Sequence, residues 1–186
     1  MNGSAKIKKT EIVGDLILLR YAEKGDLADY TAFLEDKEMM VLTGSFSVSF
    51  TAEQNAAWLE RIGQPGKDRV DFMIVPKDSK RLIGEVVLND IDWDNRSANI
   101  RIAIGSAHGR GKGYGQEAMR RMVEYGFRVL GLHRIHLGVY TFNPRAIHVY
   151  EKIGFKHEGI ERDALYQDGE YHDMIRMAIL EHEFKE

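Results

Sequence analysis

Apolar and polar positions along this chain follow two rhythms, and the switches between them mark the elements. Residues 15–21 (DLILLRY) form a short apolar strand. The period then lengthens over residues 26–34, where Leu27, Tyr30, Thr31 and Leu34 share one helical face. A second helix starts at Thr51, which with Gln54 makes a capping box; Trp58, Leu59 and Ile62 supply its apolar side. Strand patterns return at 70–75, stopped by Pro76, then at 81–91 and 97–104, with Asp94-Asn95 turning the last two into a hairpin. A glycine-dense loop follows, then a long helix over 113–130 on which Met119, Val123, Phe127 and Leu130 recur at helical spacing. Residues 134–140 are a further strand. Asn143-Pro144 starts a helix that runs to about Lys152 and stops at Gly154. Asp168-Gly169 joins two final strands, 155–166 and 171–180. The order is strand, two helices, three strands, helix, strand, helix, two strands. It predicts an α+β (mixed α/β) fold around one sheet.

At 186 residues, 44% apolar and 30% charged, the chain suits a single domain over residues 1–186, with 1–10 as a flexible start. No apolar run approaches the roughly 20 residues that a membrane span needs, and the polar, basic start does not resemble a signal peptide. The cytoplasm is the default expectation. The absence of cysteine excludes disulfides, thiolate metal sites and a cysteine nucleophile. Net charge is −3, unevenly spread: residues 107–156 hold nine Lys/Arg against three Asp/Glu, a net of +6, leaving −9 elsewhere. A basic block in an acidic protein points to an anion held locally and argues against general nucleic-acid binding.

Residues 108–115 read HGRGKGYG. Four glycines in eight residues carry a large backbone-entropy cost, so they need a reason. Just ahead of a helix they let backbone N–H groups converge on one point, an anion cradle suited to a pyrophosphate, with Arg110 and Lys112 beside it. A Walker A loop requires Ser or Thr after its Gly-Lys, whereas Lys112 is followed by Gly113. Gly113, Gly115 and Ala118 match a loose dinucleotide pattern, but no acidic residue lies between Tyr125 and Tyr150 to hold a ribose. No G-x-S-x-G occurs, which disfavours a serine hydrolase. The histidines do not form a metal-binding pattern: His133 and His136 are three apart on a strand, and His148, His157 and His172 sit on separate elements. No metal is expected.

The segment from Arg110 to Gly115 (RGKGYG) resembles the R/Q-x-x-G-x-G/A signature of the GNAT family of N-acetyltransferases. A second block, Asn143-Pro144-Arg145-Ala146 followed by Tyr150-Glu151-Lys152-Ile153-Gly154-Phe155, also resembles that family. The two occur in order, separated by a helix and a strand. The likeness covers roughly residues 15–180 and is nearest the branch of spermidine and ribosomal-protein N-terminal acetyltransferases.

The resemblance implies a twisted, mixed but mainly antiparallel sheet, flanked by about four helices and splayed between its fourth and fifth predicted strands. Acetyl-CoA would be the co-substrate. Its pantetheine arm would lie along Ile102, Ala103 and Ile104, its pyrophosphate on Arg110, Gly111, Lys112, Gly113, Tyr114 and Gly115, with Asn143 touching the arm. Tyr150 would serve as general acid to the leaving thiolate. Many relatives carry Glu on the fourth strand, where this chain has Asn99. The base is then open among Glu85, a water-relayed carboxylate and an amine that arrives neutral. Glu85 lies in an apolar stretch that could raise its pKa.

The expected reaction is direct acetyl transfer to a primary amine in a ternary complex, the acceptor being a polyamine or other small cationic amine. A peptide N-terminus, an amino sugar, or a CoA-binding regulatory module without turnover are the alternatives. The run Asp90, Asp92, Asp94 is either a lure for a cationic amine or a solvated strand end, and residues 42–50, expected beside the acceptor, carry no acid. No membrane or nucleic-acid partner is expected, and self-association is left open.

Overall fold

The computed structural model describes residues 7–44, 50–105 and 109–185. Eight strands make one sheet in the order β1-β2-β3-β4-β5-β6-β8-β7. They are β1 (Glu11–Val13), β2 (Ile17–Arg20), β3 (Val70–Pro76), β4 (Gly84–Asp92), β5 (Ser97–Ile104), β6 (Arg134–Tyr140), β7 (Lys156–Gln167) and β8 (Glu170–Leu180). Five helices accompany them: α1 (Leu27–Leu34), α2 (Lys37–Thr43), α3 (Ala52–Ile62), α4 (Tyr114–Arg128) and α5 (Pro144–Ile153). Every neighbouring pair is antiparallel except β5 with β6. The α+β reading holds, and the sheet is mixed and mainly antiparallel.

Two elements escape the sequence pattern, so the helices number five among the described residues and not four. β1 is a three-residue edge strand. α2 has seven residues, too few to display an amphipathic period. Its ends are nonetheless well made: the Asp36 side chain accepts from the Met39 N–H at 2.6 Å, and Gly44 closes it in the left-handed region at φ 66°. The capping box read from Thr51 and Gln54 is present at the start of α3.

One face of the sheet packs Ile17, Leu19, Phe72, Ile74, Val86, Leu88 and Ile100 against Ala118, Met119, Met122 and Val123 of α4 and Tyr150 and Ile153 of α5. The other face packs Met73 and Val75 against Tyr30 and Phe33 of α1, Met39 of α2, and Leu59 and Ile62 of α3. Ile7 is already buried, so ordered packing begins within the segment expected to be a flexible start. Among the described residues no helix is long and apolar enough to cross a membrane.

The feature that matters for function is the parallel pair. β5 and β6 meet at only three positions: Ser97 with Arg134, Ala98 with Ile135, and Asn99 with His136. Beyond Asn99, β5 stays on β4 as far as Ile104, while β6 stays on β8 as far as Tyr140. The sheet therefore opens into a V whose arms are the far ends of β5 and β6. Helix α2 packs against both arms, and Gly44 lies against the Tyr140 ring.

Candidate active site

The β5 arm of the V offers unpaired backbone. Gly105 donates its N–H to the Ile83 carbonyl at 2.9 Å, and the register pairs Glu85 with Ala103. By the alternation of an antiparallel ladder, Ala103 turns its backbone groups to β4, while Ile102 and Ile104 turn theirs into the split. The Ile104 carbonyl is already taken, accepting from Arg110 Nη2 at 3.0 Å and Nε at 3.2 Å. Of the three residues expected along the pantetheine arm, Ile102 is thus the one with its backbone edge open.

The glycine loop runs from that arm into α4; His108, its first residue, lies outside the described residues. Gly111 and Gly113 sit in the left-handed region, at φ 81° and 85°, where other L-residues are strained. Gly113 is the N-cap of α4 and has no side chain to satisfy the first-turn amides, so these and the positive end of the helix dipole are left for a ligand. A Cβ on Gly115 would come within 2.9 Å of Ile104 Cδ1, so the start of α4 lies close against the end of β5, and a side chain here would have to push the tip of Ile104 aside. The Glu117 carboxylate accepts from the Leu16 N–H at 2.8 Å and ties the same turn to the edge of β2.

The cations are distributed differently from the sequence picture. Arg110 is largely buried and pairs with Asp36 and Glu38 of α2, besides holding the Ile104 carbonyl. Its side chain fastens α2 to the loop and does not point to an open anion site. Lys112 is exposed and carries no ion pair among the described residues. Arg145 of α5 likewise has none, and its guanidinium is the nearest group, at 3.9 Å, to where a Gly111 Cβ would stand. Arg145 stands in the second motif, but nothing in sequence spacing places it over the loop. Tyr114 directs its hydroxyl away, donating to Asp78 at 2.7 Å, and so offers the loop only its backbone.

Asn143 caps α5 through its side-chain oxygen, which accepts from the Ala146 N–H at 3.2 Å, and its Nδ2 donor has no partner among the described residues. Seven residues on, Tyr150 is buried against Phe155, with ring centroids 6.0 Å apart. Its hydroxyl has no hydrogen-bond partner among the described residues. Burial pushes it up to about 12, so it stays protonated throughout the neutral range.

Glu85 lies on the opposite face of the sheet, buried beneath α1 and α3. The Tyr30 hydroxyl donates to it at 3.2 Å, Arg101 approaches its other oxygen at 3.2 Å, and Trp58 Nε1 donates to the Tyr30 oxygen at 3.0 Å. Burial raises its carboxyl above the ordinary range, with Arg101 acting against that rise. Asp92 serves its own turn, accepting from the Asp94 and Asn95 N–H groups at 3.0 and 2.9 Å. Of residues 42–50, positions 45–49 lie outside the described residues.

Known proteins share this architecture. The acetyltransferase (GNAT) domain model matches residues 16–156. The chain is 39% identical over 118 residues to the spermidine N(1)-acetyltransferase of Vibrio cholerae, covering 63% of this chain and 68% of that protein. It is 37% identical over 101 residues to the Escherichia coli K12 spermidine N(1)-acetyltransferase, a segment that spans 54% of each. The crystal structure of the Vibrio cholerae spermidine N-acetyltransferase in complex with CoA and spermine superposes with a TM-score of 0.81 at 29% identity, over 91% of this chain and 98% of that one.

Two predictions follow from the site's geometry. Gly113→Val forces a β-branched residue into φ 85° at the point where ligand and backbone must meet. It should weaken acetyl-CoA binding by roughly 10–100-fold, the loss of one or two hydrogen bonds to a charged group, measured by calorimetry. Unchanged affinity would remove the loop from the CoA site. The second concerns Glu85. Its raised carboxyl pKa means that the folded protein keeps a proton which the unfolded chain has already released. The stability linked to that proton is present below the ordinary carboxyl value and lost as pH rises through the folded value. Glu85→Gln deletes the titration, so the variant's Tm relative to the parent should climb from acid toward neutral pH. A Tm difference independent of pH would show that Arg101 and Tyr30 fully offset burial.

Proposed function

The chain belongs to the GNAT acetyltransferase family and is an acetyl-CoA-dependent N-acetyltransferase, and from that premise we propose that it acetylates a primary amine of a small polycation such as a polyamine, by direct attack in a ternary complex. The observation that carries the direct mechanism is Tyr150, a buried side chain whose hydroxyl stays protonated and has no hydrogen-bond partner among the described residues. A donor so placed is free to serve a ligand atom. The acceptor class is supported by the two spermidine-acetylating relatives and by the −9 charge outside the basic block.

In this reading acetyl-CoA supplies the electrophilic thioester carbonyl. The amides at Gly111, Gly113 and the first turn of α4 hold the pyrophosphate, aided by Lys112 and Arg145. Arg110 contributes its backbone there and keeps its guanidinium for α2. The open backbone edge of Ile102 pairs with the pantetheine amides, and Asn143 Nδ2 donates to the same arm. Tyr150 donates to the sulfur as the C–S bond breaks. A phenol at about 12 yields its proton reluctantly, so the donor first stabilises the thiolate by hydrogen bonding and transfers late. With no cysteine in the chain, a thioester acyl-enzyme cannot form. Glu85 holds Arg101 and Tyr30 in place beside the β5 arm. To act as a base itself, it would have to receive a proton through water across the width of β5.

The test is a panel of spermidine, spermine, a peptide with a free N-terminus and glucosamine, each with acetyl-CoA and a thiol-detecting reagent. Because the chain has no cysteine, every thiol released is the CoA product. A polyamine should show the highest kcat/KM; preference for the peptide or the sugar would overturn the acceptor assignment. On the best amine, Tyr150→Phe should lose roughly 10²–10⁴-fold in rate with acetyl-CoA affinity unchanged. Near-full turnover in that variant, with chemistry limiting, would refute Tyr150 as the acid.

A further inference from the structure

A neutral amine that attacks the thioester becomes an ammonium and must shed a proton to become an amide, and Asn99 on the β5 arm is a carboxamide that cannot take one. Its cross-strand partner can. The register places His136 directly beside Asn99, at the last β5–β6 pair before the sheet opens. Ile135, Leu137 and Val139 of β6 are buried in the core shared with α4 and α5, so His136, by the alternation of the strand, faces the other side. Asn99 shares that side and fixes its amide by donating to the Asn89 carboxamide at 2.9 Å. The row Asn89, Asn99, His136 thus runs across three strands at the vertex of the V, on the face opposite Tyr150.

We propose that the His136 imidazole is the proton acceptor of the transfer, an inference that rests on the N-acetyltransferase reading of the split. The ring is half-buried, and neither nitrogen has a hydrogen-bond partner among the described residues. The charged groups around it are accounted for. Arg134, on its own strand, is held by Glu158 of β7 through two bonds of 2.6 Å. Arg176 of β8 is held by Glu161 of β7 at 2.7 Å. Asp90 of β4 bonds the Asn89 amide at 2.6 Å. On α2, which meets β6 at its far end, Glu38 is occupied by Arg110. The carboxylates that could have paired with the imidazole are therefore engaged elsewhere. Burial, then Arg134 and Arg176, hold the imidazole below its ordinary value against Glu158 and Asp90, so it is neutral at neutral pH. Glu85, on the same face, is already held by Arg101 and Tyr30, whereas the His136 ring is unengaged among the described residues.

The protons balance. The amine attacks in its neutral form, and as the N–C bond forms its nitrogen releases one proton to the imidazole. The tetrahedral adduct collapses, the C–S pair leaves on sulfur, and the Tyr150 proton goes to that sulfur. Imidazolium and phenolate then return to their starting forms through solvent.

The test uses whichever amine of the panel the parent acetylates fastest, so choosing the amine decides the acceptor class and the His136 variants decide this inference. His136→Gln should lose roughly 10²–10⁴-fold in kcat/KM while acetyl-CoA affinity holds. His136→Ala should regain rate on addition of free imidazole, which a merely structural role would not allow. A rate kept by His136→Gln, or a rate lost in His136→Ala that imidazole fails to restore in folded protein, overturns the assignment. The third measurement needs no His136 variant: with a weakly basic primary amine, neutral across the range, the acid limb of kcat/KM in the parent should fall below the ordinary histidine value and persist in Glu85→Gln. Loss of that limb in Glu85→Gln would transfer the role to Glu85.

Discussion

The parting of β5 from β6 after three paired residues is the constraint on which the rest of the structure depends. A sheet interior normally satisfies its backbone by pairing, and a buried donor or acceptor left without a partner costs about 1–3 kcal/mol. Arg110 meets this debt at the Ile104 carbonyl. At Ile102 the edge stays open, and a ligand that brings its own amides can complete it. The gap in the sheet thus becomes a binding groove because the strands on either side, β4 and β8, hold the two arms apart without collapsing them.

Around this groove the environment sets two proton affinities in opposite directions. Burial between α5 and the sheet keeps the Tyr150 hydroxyl protonated, and burial among arginines keeps the His136 ring neutral. In the proposed mechanism one group serves as a donor and the other as an acceptor, on opposite faces of the same opening. That is the usual arrangement of a site that must give a proton at one atom while removing one from another. The sheet separates them, so neither quenches the other before substrates arrive.

Much of this was legible in the sequence, and the rest was hidden for physical reasons. Local signals were reliable: the Thr51–Gln54 box, the Asn143-Pro144 start and the left-handed Gly113 and Gly154 all reflect backbone requirements met within a few residues. The glycine loop was legible as backbone geometry, since the positive φ of Gly111 and Gly113 is a main-chain requirement. Side-chain roles across the chain were not legible. The partner of Arg110 lies on a helix too short to show a period, and Arg145 reaches the loop only because α5 folds back beside α4. His136 gained its meaning from a parallel register between strands separated by a whole helix, which no spacing rule encodes.

The tie between α2 and the glycine loop has an evolutionary corollary. Asp36 and Glu38 stand 74 and 72 residues from Arg110, yet they form one electrostatic unit with it. Removing the arginine alone leaves two carboxylates facing one another and a bare carbonyl; removing the carboxylates alone leaves a cation with nothing to neutralise it. Mutational drift at positions 36, 38 and 110 is therefore coupled, and a lineage would pass through a damaged intermediate to change one without the others. Helix α2 is in this sense inherited together with the glycine loop. Divergence in acceptor choice within such a lineage should arise from the rest of α2 and the segment after it, with the three-residue tie changing as a block or not at all.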